Sequence, residues 1–138
     1  MAEIEASAAS SAERKAWTLA DAVVAGDERA ALRALLELRQ QGERVPGLLY
    51  GIVRRLRDAQ AVAEALAAGR PAGEVKKGLR MPSFAADRLI ADVSKREPEA
   101  FRRALELMAD LEVELRGGGG GVLGEDTAGV RAVLGAAG

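Results

Sequence analysis

The sequence predicts an all-α protein, a single helical bundle of about six or seven helices. Alanine occurs 29 times and leucine 17 times, against 14 valines and isoleucines and 2 threonines. Alanine and leucine lose little side-chain freedom in a helix, whereas β-branched residues lose more. Apolar residues recur every three or four positions, and alternation with period two is nowhere sustained. Glycines and prolines fall between these stretches, where helices must stop or start. At 138 residues the chain has the length of one domain with a real core.

Residues 1–12 are small and polar and read as a flexible leader, with residues 13–138 as the helical domain. Ser10 or Ser11 is placed to cap a first helix of about residues 12–25. Trp17, Ala20, Val23 and Val24 share one of its faces, and Gly26 ends it. Asp27 caps a second helix, about 28–41, with Ala31, Leu35 and Leu38 in one row, Leu32 and Leu36 beside it, and Gly42 at its end. The third helix begins near Pro46, a fitting first-turn residue, and runs to about 68. Its stripe includes Leu49, Ile52, Val53, Leu56, Ala63, Leu66 and Ala67, opposite Arg54, Arg55, Arg57 and Asp58. A short helix over about 72–79 follows the break at Gly69-Arg70-Pro71. Met81-Pro82-Ser83 breaks the chain again, and residues 84–95 place Phe84, Ala86, Leu89, Ile90 and Val93 on one side. Pro98 and its flanking acids open the next helix, where the dipole favours negative charge. Phe101, Ala104, Leu105, Met108, Leu111 and Leu115 give it the most regular apolar spacing in the chain. Gly117–Gly121 reads as a flexible loop before a last short helix over about 126–136.

Composition narrows the chemistry. Cysteine and histidine are both absent, which removes disulfides, thiolate nucleophiles and the commonest general base and metal ligand. No apolar run is long enough to span a membrane, and no signal peptide opens the chain, so a cytoplasmic location is expected. Residues 29–103 carry 16 bases and 9 acids, while the segments on either side each carry 2 bases and 6 acids. A basic middle between acidic ends suits an acidic partner or nucleic acid, although solvated helix faces give the same balance.

Motifs for catalysis are missing. The stretch from Gly69 to Gly78 lacks phosphate-loop spacing and no strand precedes it. The five glycines follow a helix, so they are not a dinucleotide fingerprint. Glu106 with Asp110 and Glu112 with Glu114 are paired carboxylates, but nothing in the pattern buries them to lift a pKa. Glu112 and Arg116 are spaced as a surface ion pair. No catalytic residue, cofactor site or metal ligand is therefore expected. Arg54, Arg55 and Arg57 form the densest basic cluster and are the candidate contact to a partner or to DNA. The cluster has no interleaved aromatics for base stacking, which favours a subunit contact or an internal salt bridge. Trp17 reads as a core anchor, with an exposed plug against another domain as the alternative.

The order of these features resembles the C-terminal collar domain of the delta subunit of the bacterial DNA polymerase III clamp loader. The blocks that carry the likeness are Trp17, Asp21-Ala22 and Gly26; the Ala31–Leu38 helix with Gly42; Pro46, Leu48-Leu49, Arg54 and Leu56-Arg57; and Glu112, Arg116 and Gly117. The likeness covers about residues 13–135. The run of five glycines is longer and more uniform than the family's usual loop.

The resemblance implies an assembly role: a helical collar that holds the clamp loader together and supports sliding-clamp loading in DNA replication. Implied partners are the other clamp-loader subunits, of gamma/tau and delta-prime type. Contact with the sliding clamp would belong to an ATPase-like N-terminal module, which 138 residues do not accommodate. The chain is thus expected to be an excised piece or a reduced relative, non-enzymatic itself, within a complex with DNA-directed DNA polymerase activity. DNA would be met indirectly and no membrane partner is implied. A basic helical nucleic-acid-binding domain and a small all-helical enzyme stay open as alternatives.

Overall fold

The computed structural model describes the backbone of residues 2–117 and 121–138, and the side chains of 12–117 and 124–138. Its described residues form seven helices and no strand, the helical bundle that the sequence predicts. The helices are α1 (Ala2–Ala25), α2 (Glu28–Gln40), α3 (Val45–Ala67), α4 (Ala72–Gly78), α5 (Ser83–Ser94), α6 (Pro98–Arg116) and α7 (Gly121–Ala137).

Local chemistry sets several boundaries. Gly26 has φ +75, a left-handed conformation that costs glycine least, and it reverses the chain after α1. The Ala30 N–H then donates to Asp27 Oδ1 at 3.0 Å, capping α2. Pro46 and Pro98 sit in the first turns of α3 and α6, where their missing N–H costs no helical bond.

α1 packs on α2, α3, α5 and α7; α6 packs on α3 and α7; and α2 closes against α7. α4 lies against α3 and α5. Phe101, Leu19, Leu35, Leu38, Leu56, Met108 and Val133 are fully buried where these faces meet. The interior is aliphatic with many alanines, which let helix axes approach closely.

Several sequence expectations need correction. The helix start expected near residue 12 lies at Ala2, so the stretch read as a leader enters α1. That stretch holds five alanines and no glycine or proline to stop a helix. The last helix starts at Gly121, not near Asp126, while Gly118–Gly120 of the expected loop lie outside the described residues. Phe84 is 78% exposed, although its apolar character grouped it with Leu89 and Val93. At about 100° per residue it stands roughly opposite Val93 on the helix. Leu36 is exposed one residue past buried Leu35, whereas Ala67, in line with buried Leu49 and Leu56, is exposed as the last residue of α3. Trp17 is 36% exposed and so sits at the rim; Leu19, Ala20, Val23 and Val24 fill the core from α1.

Candidate functional site

The basic cluster of α3 does not act as one patch. Arg55 turns toward α1, where its guanidinium lies 4.7 Å from the centre of the Trp17 ring. Its Nε is 3.4 Å from Asp21 Oδ1, and its Nη1 approaches Met81 Sδ at 4.0 Å. Arg54 and Arg57 are exposed and make no ion pair among the described residues. Arg54 and Arg57, three positions apart, share an outward face of the helix, while Arg55, one position from Arg54 and two from Arg57, points elsewhere, so one arginine is used internally while two remain outside. Burial pushes the Asp21 carboxyl above its ordinary value of 3.8. Arg55 and then Arg88 pull it down, Asp92 raises it, and the net shift is upward.

The outward side of α3 meets α6 in an open groove of about 480 Å³. Pro46, Leu49, Tyr50 and Val53 form its α3 wall, and Leu115 rises from α6. Arg57, Glu112 and Arg116 stand on its rim. The two helices run antiparallel: Pro46 shares this groove with Leu115 and Arg116, while Leu66 at the far end of α3 meets Pro98 at the start of α6. Tyr50, the single tyrosine of the chain, is 73% exposed. Arg116 donates to Glu112 one turn earlier, so these two charges neutralise one another. Of the residues singled out from sequence, Pro46, Leu49, Arg57, Glu112 and Arg116 therefore gather at one place. Trp17, Arg55 and Gly26 lie elsewhere.

Two structural ties escaped the sequence. Glu125 is only 3% exposed and holds α7 against the corner between α2 and α3. Its carboxylate accepts from Arg44 Nε at 2.8 Å and from the Val45 N–H at 3.2 Å, and pairs with Arg39 Nη2 at 3.0 Å. Arg39 also bonds Asp126. Arg96, between α5 and α6, ties two helix ends together. Its Nη1 donates to the Val23 and Val24 carbonyls at 2.9 and 3.2 Å. Its Nη2 donates to the Ala136 and Gly138 carbonyls at 3.3 and 3.2 Å. The last carbonyls of a helix lack internal partners and carry partial negative charge, so a guanidinium suits them. Nothing in the run Lys95-Arg96-Glu97 distinguishes Arg96, whereas adjacent acids ahead of an apolar run were a usable signal at Glu125-Asp126.

Residues 13–121 match the family described as DNA polymerase III delta subunit, C-terminal domain. The chain belongs to that family. The matched span runs from α1 through α6 to the first residue of α7 and contains the whole α3/α6 groove. As a delta C-terminal domain the protein is a piece of clamp-loader machinery, which agrees with the resemblance carried by Trp17, Gly26, Pro46, Glu112 and Arg116. No curated protein and no solved structure matches the chain. No described helix is long and apolar enough to cross a membrane, and no described acidic residues cluster as metal ligands would.

Proposed function

We propose that this chain is the subunit-assembly, or collar, domain of a delta-type clamp-loader subunit, supporting sliding-clamp loading during DNA replication in the cytoplasm. The observation that carries this reading is the family match over residues 13–121. The distribution of side chains supports it: buried Glu125 and half-buried Arg96 tie helices together, while an apolar groove stays open outside. Such a surface suits docking, since interfaces join an apolar centre to a polar rim. The partners are the gamma/tau-type and delta-prime-type subunits of the same loader. Contact with the sliding clamp falls to another module of such a subunit, and DNA is reached through the complex. No catalytic step is assigned to this chain.

The test mixes the purified chain with all the other subunits of its loader and measures mass by light scattering after size exclusion. Incorporation at one copy per complex is expected. A folded chain that elutes alone beside an assembled loader refutes the reading.

A further inference from the structure

The geometry points to the α3/α6 groove as the docking site for one amphipathic helix of a partner protein, with carboxylates flanking that helix's apolar stripe. This rests on the assembly reading and specifies the chemistry of its contact. From Pro46 to Arg57 the α3 wall spans eleven residue steps, about 16 Å at 1.5 Å per residue, or three helical turns. The floor is aliphatic, with Leu49, Val53 and Leu115, and it offers no ladder of backbone groups that a strand would need. Tyr50 stands exposed at its edge, the kind of aromatic that anchors an interface.

Charge selects the occupant. Glu112 and Arg116 cancel, while Arg57 on the rim and Arg54 next to Val53 pair with nothing among the described residues. The excess is positive, so a partner helix flanked by Asp or Glu complements it. A second copy of this chain would bring the same arginines face to face and is disfavoured. Nucleic acid fits less well, because the groove has one aromatic and a carboxylate on its rim.

The test titrates the other loader subunits, purified as a complex, with wild-type chain and with Tyr50→Glu, Tyr50→Ala, Arg57→Glu and Phe84→Glu. All three positions are exposed, and circular dichroism verifies that each of the four variants folds. Tyr50→Glu and Arg57→Glu are expected to weaken association at least about tenfold, and Phe84→Glu, on another face, to leave it unchanged. The Arg57→Glu effect shrinks at high salt while the Tyr50→Ala effect persists, because only the first is screened. Wild-type binding with unchanged affinity in Tyr50→Glu and Arg57→Glu overturns the groove and leaves the assembly reading standing. No wild-type binding overturns both. A homodimer of the chain alone that Tyr50→Glu dissolves, or low-salt binding to duplex DNA that Arg57→Glu abolishes without affecting subunit association, assigns the groove to another occupant and overturns the inference.

Discussion

Replacing Arg96 by alanine tests whether one guanidinium holds the ends of α1 and α7 together. The Val23 and Val24 carbonyls belong to residues with almost no exposure. Truncation strands the Val24 carbonyl inside, at about 1.5 kcal/mol, and costs about 0.5 kcal/mol at the Val23 carbonyl, which keeps the Gly26 N–H at 3.2 Å. The bonds to Ala136 and Gly138 are long, and exposed Gly138 admits water, so their loss costs about 0.5 kcal/mol together. The guanidinium also lies 5.4 Å from the centre of the Phe101 ring. That contact contributes about 0.5 kcal/mol. The total is about 3 kcal/mol, which in a domain of this size lowers Tm by about 10 °C. Urea unfolding followed by circular dichroism measures it. Arg96→Lys supplies a point charge without the fork that spans two helix ends, and should lose about half as much. A loss below about 0.5 kcal/mol in Arg96→Ala would refute the reasoning. The neighbouring glycine gives an independent check. A Cβ on Gly26 would stand 3.2 Å from Arg96 Nε and 3.3 Å from the Ala137 carbonyl, at φ +75. Gly26→Ala should therefore destabilise, and the double variant should cost less than the sum, since removing Arg96 relieves part of the crowding.

Glu125→Ala leaves the Val45 N–H without its acceptor and Arg39 with only Asp126 and the Glu43 carbonyl, and should cost about 2 kcal/mol in the same urea assay; a neutral result would mean that water serves these groups equally well. Burial raises the folded-state pKa of Asp21 above 3.8, so the folded chain holds that proton more tightly than the unfolded chain. The contribution of this group is therefore greatest at low pH and falls as pH rises above 3.8 through the raised value. Urea midpoints from pH 3.5 to 7 should fall further in wild type than in Asp21→Asn, and parallel curves would contradict the shift. Glu112→Ala removes an exposed pair and should change stability by no more than about 0.5 kcal/mol in thermal unfolding.

How much of this was legible beforehand depends on the range of the interaction involved. Gly26, Asp27, Pro46 and Pro98 act within a turn or two of themselves, and each marks a helix end where the spacing placed it. The rows Ala31-Leu35-Leu38 and Phe101-Ala104-Met108-Leu111 are buried as their periodicity required. Phe84 departs from the expected row because its angle on the helix, not its hydrophobicity, decides its exposure. The early start of α7 has a different cause. Glycine-rich residues 121–124 have poor helix propensity, and the fixed point at Glu125 lies on α7 itself but depends on arginines more than 80 positions earlier in the chain.

The groove was half legible. Pro46, Leu49, Arg57, Glu112 and Arg116 each belong to a motif legible in the sequence, and Tyr50 does not, because one tyrosine carries no periodic signal. Their meeting at one place depends on α3 and α6 packing antiparallel, a relation between residues about 60 positions apart.

By itself the sequence settled the helical class, most helix ends and the apolar rows, because those follow from backbone preference and a 3.6-residue period. The fate of the charges was decided by packing. Arg55 covers Trp17 while Arg57 stays outside, and Arg96 spans two helix termini, since a long side chain finds its partner only once the helices have docked and excluded water from between them.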